Sequence, residues 1–195
     1  MNLIEKLIRW AYAPEEAKLD GVYDLVVPID YGCVTDRGTG VIPVIARNCL
    51  LKAARILSAG TARQVGWANS LYFGETMEMI DAEKCEFVGR NGVRSTVCTN
   101  TIDEAENLIT EFPEARRILI ICDWRHAARV QFIWNKLCTK EVTIVALDNR
   151  CWENAHRSVF LKWSWLFLVM NMAHHILLLT IGIDRLRKLR HPVSR

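Results

Sequence analysis

Seven cysteines are scattered through the 195 residues without one C-x-x-C pair. Structural zinc needs closely spaced Cys and His ligands. Only His174 and His175 stand close together, and adjacent helical residues point about 100° apart. No metal site is expected. An odd cysteine count without a recognisable signal peptide points to a reducing compartment and mostly buried thiols. The opening MNLIEKLIRWAY does not read as a signal peptide, because Glu5, Lys6 and Arg9 interrupt its apolar residues. Leu3, Ile4, Leu7 and Ile8 instead share one face of a short helix. The compartment expected is the cytoplasm, at or away from the cytoplasmic membrane.

Other signatures are missing too. There is no G-x-S-x-G elbow for Ser-His-Asp hydrolysis. Gly38-Thr-Gly40-Val-Ile-Pro43 has Pro at the third glycine of a dinucleotide fingerprint and begins eight residues after Asp30. That fingerprint needs a tight strand-to-helix turn, so NAD is not indicated, and the residues name no other cofactor. No internal repeat or low-complexity segment occurs. The formal charge is only +3. From Asp184 onward five Lys/Arg stand against one acid, which leaves the body near neutral. A broad nucleic-acid-binding face is therefore not expected.

What is present is a globular composition, 51% apolar and 24% charged, long enough for one sizeable core. Strand candidates are Tyr23–Asp30, Gln64–Asn69, either Cys85–Val88 or Val93–Cys98, Arg117–Cys122 and Glu141–Leu147. Helical patterns separate most of them. Pro43–Ala59 opens on a first-turn Pro and closes before Gly60. Thr101-Ile-Asp-Glu104 reads as a capping box for a helix running to about Phe112. Strands alternating with helices imply right-handed crossovers and a mainly parallel sheet of about five strands covered on both faces. Pro28 is a misfit, since it removes a ladder donor from the first strand. The α/β domain is expected over 1–150, with an apolar helix and basic tail over 151–195.

That C-terminal segment carries 21 residues, Trp163–Ile183, without Asp, Glu, Lys or Arg. The length meets the threshold for a membrane span, but Ser164, Asn171, His174, His175 and Thr180 weaken it. Asn171, His174 and His175 share one helical face. Three readings stay open: a long apolar helix docked on the domain or a partner, an interfacial helix held to a membrane surface by its basic tail, and insertion through 159–190.

The densest chemistry lies in Arg116–Leu137. An apolar run, Ile118–Cys122, stops at Asp123, and a helical pattern follows with Arg125, His126 and Arg129 in its first turns. Ligands of such sheets bind where strands end and helices begin, and a helix N-terminus attracts anions. Neutral His126 can act as a general base, and its cation can hold a phosphate. Arg125 and Arg129, four residues apart, can clamp an anion. Asp123 reads first as an N-cap. Thr101 and Glu104 are accounted for by capping, whereas Asn100 can also turn its amide to a ligand. Glu75 follows Gly74 near another strand–helix junction, as an acid–base group, a metal ligand or a helix-start residue. Arg47 adds positive charge to the same crevice if it points to the sheet edge. Cys98 and Cys122 read as buried thiols rather than nucleophiles.

The order of these features resembles the YdcF/SanA/ElyC-like family of bacterial proteins, over roughly Tyr23 to Leu147. Arg47 matches an Arg of that family's first helix, and Glu75 in GETMEM looks like its acidic residue after the second strand. Cys98-Thr-Asn100-Thr101-Ile-Asp103-Glu104-Ala105 resembles its S-x-N-T-x-E-N-A segment. Asp123-Trp-Arg-His126-Ala-Ala-Arg129 is similar to its segment of a His followed by an Arg. Cys98 stands where the family has Ser, and Asp103-Glu104 where it has Glu-Asn. The resemblance implies a Rossmann-like fold, a nucleotide-like or carrier-lipid ligand and a link to envelope biogenesis. Some members carry an N-terminal membrane anchor; this chain is expected to be closer to the soluble members or anchored differently. The reading that follows is a small anionic ligand at the sheet edge, with His126 and Glu75 as catalytic candidates and Arg47, Asn100, Thr101, Arg125 and Arg129 as ligand-binding ones. The chemistry implied is hydrolysis or transfer at a phosphate, and turnover is not established by any motif. The alternative is a non-catalytic, membrane-associated envelope protein acting through its C-terminal helix.

Overall fold

A computed structural model describes residues 3–12, 19–29, 31, 34–36, 39–71, 76–90, 92–149 and 163–188. In chain order these form α1 (Leu3–Tyr12), β1 (Tyr23–Pro28), β2 (Val34–Asp36), β3 (Thr39–Val41), α2 (Val44–Ser58), β4 (Ala62–Asn69), α3 (Met77–Val88), β5 (Val93–Val97), α4 (Thr101–Glu111), β6 (Arg117–Asp123), α5 (Trp124–Leu137), β7 (Glu141–Leu147), α6 (Ser164–Ile181) and α7 (Ile183–Lys188). Five strands make one parallel sheet in the order β5-β4-β1-β6-β7, and β2 and β3 pair separately as an antiparallel ribbon. This is a Rossmann-like, three-layer α/β arrangement. Right-handed crossovers put α2 and α3 on one face of the sheet and α4 and α5 on the other; each pair is in contact.

The central strands are apolar because both their faces are covered. Leu25, Val26 and Val27 of β1 and Ile118–Cys122 of β6 are fully buried, each large aliphatic side chain contributing about 1.5–3 kcal/mol. Pro28 fits because of register. The Ile29 N–H donates to Ile121 O at 2.9 Å, so strand alternation aims the Pro28 nitrogen toward β4. Pairing with β4 has ended by then, its last register pair being Val26 with Val65. Gly66 of β4 is required by close packing: a Cβ there would lie 2.3 Å from the Phe112 ring.

Cys85–Val88 falls within α3, so of the two candidates for the third core strand Val93–Val97 is the one that pairs. Thr76 caps α3, its hydroxyl accepting from the Met79 N–H. The β2–β3 ribbon is an addition to the expected elements.

The C-terminal segment forms two helices rather than one continuous apolar run. Gly182, at φ 82°, ends α6, and α7 starts at once. No helix among the described residues is long and apolar enough to cross a membrane. Instead α6 packs on α5, and Phe167, Leu178 and Ile183 join the same buried cluster as the sheet residues. Residues 151–162 and 189–195 lie outside the described residues.

Candidate functional site

The chain runs from β1 outward through β4 to β5, then crosses back to β6 and β7. The reversal falls between the C-terminal ends of β1 and β6, the place where open α/β sheets hold ligands. Tyr31 and Asp123 stand there, the Asp123 N–H donating to Tyr31 Oη at 2.7 Å. Burial pushes the Tyr31 hydroxyl far above its usual range.

Asp123 caps α5, its Oδ1 accepting the Arg125 N–H at 2.9 Å. The same carboxylate pairs with the Arg125 guanidinium at 3.1 Å and accepts from Asn149 Nδ2 at 2.9 Å. Asn48 of α2 donates to Asn149 Oδ1 in turn. Burial raises the Asp123 carboxyl, and Arg125 opposes that rise. Arg125 is itself buried, and it lies 4.8 Å over the Trp124 ring. These contacts brace the start of its own helix.

One turn on, His126, Arg129 and Thr101 come together. Arg129 Nη2 donates to His126 Nε2 at 2.6 Å and to Thr101 Oγ1 at 3.1 Å. Its Nη1 donates to His174 Nδ1 of α6 at 2.7 Å. Arginine has no acceptor, so both imidazole nitrogens facing it carry lone pairs. His126 thereby holds its proton on Nδ1 and His174 on Nε2. His126 Nδ1 is buried without a hydrogen-bond partner among the described residues. Burial first, then the Arg129 and His174 charges, lower the His126 pKa well below its ordinary value. Burial and Arg129 lower His174 in the same direction. Burial and the facing guanidinium both favour the neutral imidazole, so the fixed cation of this group is Arg129. Tyr31, His126 and Phe167 pack edge to face, with ring centroids 5.6–6.1 Å apart, and close the sheet edge from above.

Beside this group lies a cavity of about 440 Å³ between α4, α5, α6 and α7. Asn100, Thr101, Arg129 and His174 form its polar end; Ile102, Ile133, Leu177, Leu178 and Leu186 form its aliphatic walls. Asn100, rather than Thr101, is the N-cap of α4. Its Oδ1 accepts from the Ile102 and Asp103 N–H groups, and its Nδ2 donates to Asp103 Oδ2 and Thr99 Oγ1. Thr101 is thereby freed to face Arg129, and Glu104 is buried inside α4's packing.

Of the residues singled out from the sequence, the structure thus joins His126, Arg129 and Thr101 directly and sets Asn100 on the same cavity. Arg47 stands half-buried in the first turn of α2, and no described hydrogen bond or ion pair links it to this group. Glu75 lies outside the described residues. His174, Tyr31 and Phe167 belong to the site but were not among its predicted members. For His174 the signal was present, in the polar face it shares with Asn171. Lone aromatics such as Tyr31 and Phe167 carry none.

No metal-binding group of three or more His, Cys, Asp or Glu occurs among the described residues. No family model and no curated protein matches the chain. Among solved structures, a universal stress protein in complex with cAMP aligns with a TM-score of 0.40 and 16% identity, over 64% of this chain and 98% of that one. The fold assignment above rests on strand order and layering.

Proposed function

We propose that the protein is a YdcF-like binder of a small phosphorylated or nucleotide-like anion. The ligand's charge would sit against Arg129 and Thr101 at the C-terminal edge of the sheet. The observation that carries this reading is the position of Arg129: a guanidinium braced by two neutral imidazoles and a hydroxyl, on the polar end of an open cavity. Oriented N–H donors favour phosphate and carboxylate, and the α4 N-terminus adds a dipole of the right sign. If a phosphate is cleaved or transferred there, as in envelope or carrier-lipid metabolism, catalysis is positioning and charge stabilisation by Arg129. His126 is positioned to take a proton only when its Nε2 is released from Arg129.

Thermal-shift and calorimetric titration with inorganic phosphate, adenine nucleotides and a prenyl phosphate test the reading. A binding ligand raises the midpoint by mass action, and Arg129→Met abolishes the shift. A shift of the same size in Arg129→Met would remove Arg129 from the site. His126→Gln separates binding from turnover, since glutamine retains an acceptor for Arg129 but takes up no proton.

The alternative, a membrane-associated role, is supported by the outer face of α6. Trp165, Val169, Ile176 and Leu179 are exposed there, and Arg185 follows in α7. Flotation with anionic vesicles tests it: Trp165→Ser with Ile176→Ser releases the protein from the vesicles if that face is the anchor.

A further inference from the structure

The proposed site has a second half that a compact phosphate or nucleotide phosphate does not use. Beyond Arg129 and Thr101 the cavity is walled by Ile102 of α4, Ile133 of α5, Leu177 and Leu178 of α6 and Leu186 of α7. These five side chains come from four separate helices, and among the described residues no charged side chain lies between them. Leu178 is buried, Ile133 almost completely so, and Leu177 stands at the exposed rim. Pockets hold ligand parts of matching polarity, with few polar groups fixing orientation. A charged floor that continues into an aliphatic slot matches a molecule charged at one end and aliphatic at the other.

We propose that this cavity binds an anionic amphiphile with a single aliphatic chain, its phosphate or carboxylate head on Arg129 and Thr101 and its chain along Ile102, Ile133, Leu177 and Leu178. The inference rests on the anion site proposed above and specifies its ligand. The volume of about 440 Å³ falls in the lower part of the roughly 300–1,000 Å³ range of drug-sized pockets. It accommodates a chain of short to medium length, and a long polyprenyl tail would have to leave the cavity through the Leu177 rim. Because α6 supplies Leu177, Leu178 and His174, it forms one side of the chain slot and one brace of the head-group cation.

The test is a chain-length series on the full protein, kept below micelle formation. Inorganic phosphate is followed by butyl, hexyl, octyl and decyl phosphate, and a parallel series uses the carboxylates. Affinity should rise about fourfold per methylene while the chain enters apolar surroundings, then level off within the series as the slot fills. The head group that gives the higher affinity at equal chain length identifies the source as phosphate or carboxylate. Leu177→Gln, at the exposed rim, should flatten the rise and leave phosphate binding unchanged. Ile176→Gln, on the outer face of α6, should leave the whole series unaltered. A flat series with phosphate still bound overturns the chain slot and keeps the anion site. No binding by any probe overturns both. A rise that survives Arg129→Met, or that Ile176→Gln removes, shows chains adhering to the outer face and also overturns the proposal.

Discussion

His126 gives a stability signature that follows from its burial beside Arg129. In the folded chain it is neutral, its Nε2 accepting from Arg129 and its ring almost fully buried; burial lowers its pKa well below 6.5. In the unfolded chain it titrates near the ordinary value of about 6.5. Above that pH neither state binds the proton and stability is undiminished. Below it the unfolded chain gains a proton that the folded chain refuses, so stability falls as the pH falls, until the folded pKa is reached. The linkage slope for one such group is about 1.4 kcal/mol per pH unit. Between pH 6.5 and pH 5.5 the wild-type chain should lose about 1 kcal/mol through His126, before most carboxylates titrate. His174 is lowered in the same direction but is exposed, and adds less. Urea denaturation followed by circular dichroism at pH 7.5, 6.5, 5.5 and 5.0 measures the loss. His126→Gln, which keeps an acceptor for Arg129, should lose less stability over the same interval, by about 1 kcal/mol. Parallel curves for the two proteins would refute the neutral, Arg129-bound imidazole.

Three further outcomes follow from the packing. Gly66→Ala should cost about 1–3 kcal/mol, because its Cβ would enter the Phe112 ring; Phe112→Leu in the same chain should recover part of the loss in urea midpoint. Asn100→Ala should cost about 1 kcal/mol by uncapping α4, whereas Asn100→Ser, which keeps an oxygen acceptor for the first-turn N–H groups and puts no second charge beside Asp103, should cost much less; equal losses in a urea titration would remove capping as its role. Cys122 is fully buried and burial raises its thiol pKa, so its peptide should stay unmodified by iodoacetamide in the native protein and react in urea, as read by mass spectrometry.

The strands that read clearly from the sequence are those whose apolar run is bounded by a change of residue type. Glu141–Leu147 matches its expected limits, and Arg117–Cys122 is one residue short, at Asp123. Cys85–Val88 and Val93–Cys98 were indistinguishable as apolar runs. What separates them is the Thr76 cap upstream, which starts a helix that runs through the first of them. Asn100 and Thr101 are both good caps, and the choice depends on Asp103, which reaches back to Asn100 and Thr99. Arg125 and Arg129 both stand in the first turns of the helix, and the sequence favours Arg129 only through its place after His126. The structure pairs Arg125 with the buried Asp123 and sets Arg129 on the cavity. The partner of Arg129 across α5 and α6 is 45 residues away in the chain, and local periodicity carries no information at that range.

The bridge from Arg129 to His174 makes the C-terminal helix a party to whatever occupies the neighbouring space. A guest touching both α5 and α6 favours the arrangement in which they are closed over it, and by thermodynamic reciprocity a closed α6 favours the guest by the same factor. A change that loosens the helix should weaken retention of the guest even when every side chain that touches it is left intact.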